Sequence, residues 1–231
     1  MKTALVTGAS GNLGQEVIRK FISEGYNVVG TVIPNDPVTI EINSDRFEKV
    51  VADLMSEDDA QRLASSVISR YGQVDAAILT VGGFAMGNIS ETKTSDILKQ
   101  YKLNFETAYN IARPLFVQML RQNNGRIFLI GSRPGLEAKS GKGMIAYGLA
   151  KSLIFRLAEL MNEEGKHHNV VTSVIVPSTI DTPQNRKSMP DADPSNWVRA
   201  EEIANTTLFL ASDMGSYVTG QVISVCGGLN I

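Results

Sequence analysis

Short apolar runs alternate with longer amphipathic stretches along this chain. Seven of the runs are nearly continuous in hydrophobicity, rich in β-branched residues and bounded by Gly, Asn or Pro, which is typical of strands covered on both faces. They span residues 3–7, 27–32, 47–51, 74–81, 125–130, 170–176 and 221–225. The stretches between them predict helices at 12–24, 57–71, 92–122, 144–164 and 200–212. Because strands alternate with helices, we expect an α/β fold with a doubly wound parallel sheet.

The length of the chain, 231 residues, suits one domain, and no repeat, low-complexity tract or linker divides it. We therefore interpret residues 1–231 as a single domain. Residues 177–197, PSTIDTPQNRKSMPDADPSNW, show no regular periodicity, and Pro183, Pro190 and Pro194 stiffen the part from 181 to 197. Loops of that length are often lids or binding loops, so we predict a substrate-binding loop, with a solvated surface loop as the alternative.

Composition and charge exclude several classes of partner. The net charge of −2 gives no electrostatic case for nucleic acid or an anionic membrane. The start, MKTALVTGAS, fits neither a secretory signal nor a membrane span, which favours a cytoplasmic protein. The single cysteine, Cys226, has no intrachain disulfide partner, in keeping with a reducing compartment. Two adjacent histidines, His167 and His168, leave too few soft ligands for a zinc site, so no metal is expected.

A glycine-rich turn, TGASGNLG, follows the first predicted strand and opens the first predicted helix. Gly8, Gly11 and Gly14 permit a tight turn and a close approach of the backbone to a pyrophosphate at the helix N-terminus. Because the glycine spacing is shifted, this is a variant of the dinucleotide-binding fingerprint of Rossmann-like folds. The predicted contacts in the turn are Gly8, Ser10, Gly11, Asn12, Leu13 and Gly14.

The residues after the second strand bear on which dinucleotide is bound. In GTVIPND, Val32 and Ile33 stand where a carboxylate for the 2′-hydroxyl of NAD is expected, and no Arg or Lys is there for the 2′-phosphate of NADP. The missing carboxylate removes a repulsion, so we expect NAD(P) with a slight lean to NADP, unless Asp36 or another acid reaches the ribose. Asp53, in VADL, either accepts a hydrogen bond from the adenine amine or caps a helix; Ser56 is the predicted cap of the helix at 57–71.

Five motifs occur in one order: the glycine turn, ADL, NF in the long predicted helix, IGS at a strand end, and YGLAK. Together they resemble the short-chain dehydrogenase/reductase family over nearly the whole chain. The resemblance implies a Rossmann-like sheet, NAD or NADP, a homodimer or homotetramer, and a catalytic tetrad at Asn104, Ser132, Tyr147 and Lys151. It also implies cofactor contacts at Asp53, Leu54, Gly82, Gly83, Tyr147, Lys151, Pro177, Ile180 and Thr182.

Finer features resemble one branch of that family, the dihydropteridine reductases and their bacterial relatives. These features are GMIAYGLAKSLI, DTPQNRKSMPDADPSNW, the shifted glycine turn, and VGGF after the fourth strand. The chain departs from that branch because it lacks an Asp after the second strand and has both the Asn and the Ser of the tetrad. The full tetrad fits a general carbonyl reductase, so we expect an NAD(P)-dependent short-chain oxidoreductase acting on a carbonyl or alcohol. The alternatives are quinonoid dihydropteridine reductase activity and a non-catalytic dinucleotide-sensing protein.

Tyr147 and Lys151 lie one helical turn apart. A phenol with an ordinary pKa of about 10 is a poor acid–base catalyst at neutral pH, and a nearby cation favours the phenolate. The resemblance assigns Tyr147 to protonating the carbonyl oxygen, and Lys151 to lowering the pKa of Tyr147 and holding the nicotinamide ribose. Ser132 would donate a hydrogen bond to the substrate oxygen. Asn104 would bind a water that links Lys151 to solvent or, alternatively, would bond the helix backbone as a buried polar residue.

Apolar side chains near these motifs predict walls for a flat small-molecule substrate. The candidates are Phe84, Met86, Met189 and Trp197, although the methionines equally suit gap-filling in the core.

The helices at 92–122 and 144–164 carry apolar residues on more than one face, which predicts a helix-to-helix subunit contact. The residues in question are Leu98, Tyr101, Phe105, Tyr109, Leu149, Leu153 and Phe155.

Overall fold

A computed structural model of the protein describes residues 1–227. Its seven strands are β1 (Thr3–Thr7), β2 (Asn27–Val32), β3 (Phe47–Val51), β4 (Ala76–Leu79), β5 (Gly125–Ile130), β6 (Val170–Pro177) and β7 (Val222–Val225). Neighbouring strands are parallel, in the order β3-β2-β1-β4-β5-β6-β7. The order changes direction between β1 and β4, and such switch points form ligand crevices at the carboxyl ends of the strands.

Eight α-helices are described: α1 (Asn12–Ser23), α2 (Glu57–Tyr71), α3 (Thr94–Tyr101), α4 (Thr107–Gln122), α5 (Arg133–Leu136), α6 (Ile145–Gly165), α7 (Pro183–Ser188) and α8 (Ala200–Ala211). Helices α1 and α8 pack together on one face of the sheet, while α2, α4 and α6 cover the other. Side chains alternate between the two cores, as β1 shows: Leu5 enters one core and Ala4 and Val6 enter the other. This two-sided burial explains why the strands read as unbroken apolar runs. The prediction of a doubly wound, Rossmann-like α/β domain is confirmed.

Three predicted elements differ from those in the structure. The helix predicted at 92–122 is divided into α3, a π-helical turn (Lys102–Glu106) and α4. The strand predicted at 74–81 ends at Leu79, because Thr80 leaves the sheet to exchange hydrogen bonds with Thr7. The loop predicted at 177–197 contains α7 and a 3-10 turn (Pro194–Asn196). Within residues 1–227, no helix has both the length and the hydrophobicity needed to cross a membrane.

Candidate active site

The glycine turn joins β1 to α1 in a conformation that accepts no larger residues. Gly8 has a φ of 64°, in the left-handed region. A Cβ atom on Gly14 would lie 2.2 Å from the carbonyl oxygen of Gly8, so the turn and the helix start are in direct contact. The exposed amides at the start of α1, with its dipole, suit a pyrophosphate. These observations agree with a dinucleotide site at this turn.

A cleft of about 970 Å³ runs along the carboxyl ends of the strands from this turn. The residues predicted to bind cofactor all line it: Gly8, Ser10, Gly11, Asn12, Leu13, Gly14, Asp53, Leu54, Gly82, Gly83, Tyr147, Lys151, Pro177, Ile180 and Thr182. Asn104 and Ser132 line it as well, so the structure brings the predicted tetrad and the predicted cofactor residues into one cavity. Of the predicted substrate residues, Phe84 and Met189 belong to its wall.

Asp36 lies at the end of the cleft beside the glycine turn. The Ser10 hydroxyl donates a hydrogen bond to the Asp36 carboxylate over 2.5 Å, and the Val38 amide donates another over 2.9 Å. These bonds, Ser10 first, lower the pKa of Asp36, with a smaller contribution from the charge of Lys49. The sequence placed no carboxylate at the end of β2, yet one lies in the cavity wall with Val32 and Ile33.

Asp53 also lines the cleft, and Ser56 is the cap of α2. One carboxylate oxygen of Asp53 accepts the amide of Met55 over 3.0 Å, while the Ser56 hydroxyl accepts the amide of Asp59. The two alternatives for Asp53 are thereby separated, because the capping position belongs to Ser56. Contact of Asp53 with an adenine stays a prediction.

Helix α6 presents Tyr147 and Lys151 from successive turns to the cleft. Lys151 is almost fully buried, and its Nζ donates to the carbonyl oxygen of Ile130 over 2.7 Å. Burial lowers the pKa of Lys151 to about 8. Burial also raises the pKa of Tyr147 above its ordinary value, and Ser132 partly offsets that rise. The sequence led us to expect that Lys151 lowers the pKa of Tyr147; in this structure burial is the largest influence on that pKa and raises it.

Ser132 follows β5 and lies beside Tyr147. Among the described residues, its hydroxyl is one of two buried side-chain polar atoms without a hydrogen-bond partner of good geometry; the other belongs to Thr172, in β6. The influence of Ser132 on the Tyr147 pKa therefore reflects proximity and not a well-formed hydrogen bond. A buried hydroxyl left unsatisfied in a cleft suits a ligand that supplies the missing partner.

The Asn104 side chain is bonded to the cleft wall. Its Oδ1 accepts the amide of Gly83 over 3.1 Å, and its Nδ2 donates to the carbonyl oxygen of Gly83 over 2.9 Å and to Oε1 of Gln100 over 2.8 Å. These bonds agree with the second of the two alternatives for Asn104, a buried polar residue bonded to backbone. The backbone it bonds belongs to the cleft wall as well as to its own helix. A water bound to Asn104 stays a prediction.

The end of the cleft near Tyr147 has a partly apolar wall. The rings of Phe84 and Tyr147 meet edge to face at 5.2 Å between centroids. Phe84 is 61% exposed and lines the cavity. The lining here also includes residues that sequence reasoning missed, namely Arg133, Pro134, Ser140, Met144, Gln184 and Asn185. These residues lie close in sequence to Ser132, Tyr147 or Thr182, and that closeness was the signal from which they could have been predicted to line the cleft.

Trp197 and Met86 do not lie among the described residues that line this cleft. Trp197 instead lines a second cavity of about 760 Å³, together with polar residues that include Asp181, Arg186 and Arg199. The base of the 177–197 loop is closed by backbone bonds from Asp181 to Val198 and from Val198 to Thr179. Trp197 is adjacent to this closure and lines the second cavity, whereas Met189 lines the cleft.

Comparison with known proteins supports one family. The sequence profile described as short chain dehydrogenase matches residues 2–193. The chain is 29% identical to an acetoacetyl-CoA reductase of Acinetobacter sp. (strain RA3849), over 99% of this chain and 97% of that protein. It is 25% identical to a 3-oxoacyl-[acyl-carrier-protein] reductase of Thermotoga maritima, over 100% of this chain and 98% of that protein.

Solved structures share the fold. A blue fluorescent protein from a metagenomic library, in complex with NADPH, superposes with a TM-score of 0.87 at 23% identity, over 100% of this chain and 98% of that one. ElxO with NADP bound superposes with a TM-score of 0.88 at 21% identity, covering 98% of each chain. The resemblance to the dihydropteridine reductase branch stays a prediction.

Proposed function

Since the chain belongs to the short-chain dehydrogenase family and is therefore an oxidoreductase, we propose that it reduces a carbonyl compound with NAD(P)H through Tyr147 and Lys151. The observation that carries the proposal is the convergence in one cleft of the glycine turn, the buried Lys151 and the unsatisfied Ser132 hydroxyl. A dinucleotide-sensing protein would not need this convergence, and family membership argues against that alternative.

The cleft suits a nicotinamide dinucleotide, which supplies the hydride when bound. The glycine turn would hold its pyrophosphate, and the wall formed by Gly82 and Gly83 together with Lys151 would hold its ribose and nicotinamide half. These assignments rest on the shape of the cleft and the absence of room for larger side chains at Gly8 and Gly14.

Tyr147 donates the proton to the carbonyl oxygen. At neutral pH the phenol keeps its proton, as it would at its ordinary pKa of about 10, and burial raises the pKa further in the same direction; the protonated phenol is the form that reduction requires. Ser132 donates a hydrogen bond to the same oxygen as negative charge develops there. Lys151, largely charged below its pKa of about 8, adds positive potential on the cofactor side.

Replacing Tyr147 with Phe tests this proposal directly. The variant keeps the ring and its contact with Phe84, so cofactor affinity should change less than about twofold, while turnover should fall at least the ~10²-fold typical of lost acid–base catalysis. Steady-state rates and cofactor titrations measure the two effects separately. Near-normal turnover in Y147F would remove Tyr147 from the mechanism.

The proposed cofactor is NAD(P), with a lean to NADP. Val32 and Ile33 offer no carboxylate at the end of β2, and structural neighbours were solved with NADPH or NADP bound. Asp36 limits this lean, because a partly exposed carboxylate beside the glycine turn, where the adenosine half of the cofactor would lie, repels a 2′-phosphate. Dissociation constants for NADH and NADPH decide the preference; a hundredfold preference for NADH would contradict the lean.

The first proposed substrate class is a small carbonyl compound with an apolar portion. Relatives named as acetoacetyl-CoA and 3-oxoacyl reductases act on carbonyl groups. The apolar end of the cleft, with Phe84, Met144 and Met189, supports an apolar portion next to the reacting carbonyl.

A quinonoid dihydropterin is the second candidate. The two segments that resemble dihydropteridine reductases, 143–154 and 181–197, are distant in sequence, yet residues of both line the cleft. Parallel assays with quinonoid dihydropterin and with 3-ketoacyl thioesters distinguish the candidates; turnover of the pterin alone would favour the branch.

We further propose a homodimer or homotetramer that uses α3, α4 and α6. Several apolar residues on these helices are exposed: Leu98, Tyr109, Val117, Leu149, Leu153 and Leu160. Tyr101, Phe105 and Tyr109 form a row of neighbouring rings on the same surface. Phe155, which the sequence placed with this group, is buried in the core and is not available. Light scattering at micromolar concentration should show an oligomer that L149E/L153E dissociates; a wild-type monomer would contradict the proposal.

The 177–197 segment is proposed as a lid, and the cytoplasm as the location. Helix α7 and Met189 face the cleft while both ends of the segment are tied by backbone bonds, so the segment is able to move as a unit.

The free, buried thiol of Cys226 agrees with a reducing compartment. Cell fractionation tests the location.

A further inference from the structure

Gln100 is a buried polar residue that the proposed chemistry does not use. It lies near the end of α3 and is 5% exposed. Its side-chain oxygen accepts a hydrogen bond of 2.8 Å from Nδ2 of Asn104, itself 1% exposed. The Gln100 backbone carbonyl lies 3.3 Å from the same nitrogen. A glutamine desolvated to this extent costs free energy unless its bonds are made, so the contact calls for an explanation.

The bonds of Asn104 select one orientation of its amide. Oδ1 faces the N–H of Gly83, and Nδ2 faces both the carbonyl of Gly83 and Oε1 of Gln100. A half-turn of the amide would set donor against donor at the Gly83 N–H and acceptor against acceptor at its two carbonyl partners. The N–H and carbonyl of Gly83 already bond the Asn104 amide. Gln100 adds a side-chain acceptor for Nδ2 and so helps to fix the orientation of that amide.

The π-helical turn holds this arrangement at the cleft wall. Asn104 is the central residue of Lys102–Glu106 and is buried between α3 and Gly83. A Cβ atom on Gly82 would lie 2.7 Å from Oδ1 of Asn104 and 3.3 Å from Nζ of Lys151. Asn104 and Lys151 thus both lie close to Gly82, and a shift of Asn104 would move the Gly82 wall beside which Lys151 lies. Single π turns within helices are frequent at functional sites.

We propose that Gln100 is a positioning residue that, through the amide of Asn104, fixes the backbone of Gly82 and Gly83 in the geometry that the cofactor half of the cleft requires. Its importance for cofactor binding rests on the proposed function. Its effect on the Gly83 backbone does not, because that effect exists in the protein without ligand.

The test compares Gln100→Met, which keeps the volume and removes the acceptor, with Gln100→Glu, which keeps an acceptor oxygen in the same place. Lys99→Met, one residue earlier on the exposed side of α3, is the matched control. Amide exchange at Gly83 is followed in the ligand-free full chain by mass spectrometry with residue-resolving fragmentation. NADPH and NADH dissociation constants and the kcat and KM for a carbonyl substrate are measured on the same proteins.

In Q100M we expect Gly83 exchange to be faster by about tenfold and the cofactor dissociation constant to rise by about fivefold to tenfold, the scale of one lost buried hydrogen bond. The KM for the carbonyl substrate should stay within about twofold, since Gln100 is remote from the apolar end. Q100E should retain wild-type exchange at Gly83 and most of the cofactor affinity, and K99M should match the wild type throughout.

Unchanged Gly83 exchange in a folded Q100M would overturn the proposal, as would equal losses in Q100M and Q100E, which would mark Gln100 as a packing residue alone. If Q100M does not fold, Q100E decides: fast Gly83 exchange in that variant overturns the proposal, and native exchange supports it. If no variant, nor the wild type, binds either dinucleotide, the proposed function fails while the exchange result still tests the link from Gln100 to Gly83.

Discussion

Replacing Lys151 with Met should make the protein more stable while abolishing its activity. Lys151 is nearly fully buried, and its pKa falls from an ordinary 10.5 to about 8 because burial disfavours the charged form. At about 1.4 kcal/mol per pH unit, the difference corresponds to roughly 3 kcal/mol spent at pH 7 to keep the buried amine protonated. Met is apolar and of similar length, so it removes this cost.

The gain is partly offset by the hydrogen bond that Lys151 makes to Ile130. Losing that bond and leaving the Ile130 carbonyl unpaired costs about 1 kcal/mol. A net gain of roughly 2 kcal/mol in the free energy of unfolding remains, which corresponds to a rise in Tm of about 5 °C for a domain of this size. Such a trade of stability for activity is common at catalytic groups.

The pH dependence follows from the same values. Between about pH 8 and pH 10.5 the unfolded state holds the Lys151 proton more tightly than the folded state, so wild-type stability rises with pH across this window. Below pH 8 the cost is fully present, and above 10.5 it is absent. The advantage of K151M should therefore shrink as pH rises from 8 towards 10.5.

Urea unfolding at pH 7 and pH 10, without ligand and at one protein concentration, measures both effects. Lys99→Met, on the exposed surface of α3, serves as the control and should change stability little. A K151M variant less stable than the wild type at pH 7 would refute the reasoning, as would a difference that does not change between pH 7 and pH 10.

Two further predictions concern the two ends of the cleft. Asp36→Asn should tighten NADPH binding about fivefold at low ionic strength and leave NADH nearly unchanged, because it removes a carboxylate near the 2′-phosphate position. The gain should shrink in 0.5 M salt, and an equal effect on both cofactors would show that Asp36 acts through Ser10 and the glycine turn alone. For the lid, proteolysis within 181–197 should slow when cofactor and a substrate analogue are bound, and the fluorescence of Trp197, the chain's single tryptophan, should change. Unchanged cleavage and emission at saturating ligand would favour a passive surface loop.

The fold was predictable because its signals are local. The five inner strands, β2, β1, β4, β5 and β6, are buried along nearly their whole length, so their apolar runs follow from burial on both faces. The edge strands β3 and β7 are partly exposed. The glycine turn was predictable for the same reason, since a close approach such as Gly14 to Gly8 requires glycine whatever surrounds it. The sequence also carries a signal for the start of α7, namely Thr182 as the cap followed by Pro183 at the first helical position. The segment was nevertheless predicted to be a loop without regular structure.

The electrostatics of the tetrad were not predictable. The sequence places Tyr147 and Lys151 one turn apart, and that spacing suggested a cation acting on a phenol. Whether it does so depends on where the amine is bonded and how much water reaches it, and both depend on residues far along the chain, such as Ile130. Desolvation therefore raises the pKa of Tyr147 and lowers the pKa of Lys151, and the local sequence pattern does not predict either direction.

Asp36 shows why the residues at the end of β2 are not sufficient to predict cofactor choice when the chain turns back after the strand. Cofactor choice was inferred from the residues at the end of β2, where no acid stands. After Ile33 the chain turns: the Asp36 amide bonds the carbonyl of Ile33, and Asn35 adopts a φ of 58°, a conformation that asparagine tolerates better than most residues. This turn carries a carboxylate four positions past the strand back to Ser10 in the glycine turn. An acid so placed reaches the same end of the cleft as one at the strand terminus. For that reason the affinity of D36N for the two cofactors is a more direct test of cofactor choice than the identity of residues 32 and 33.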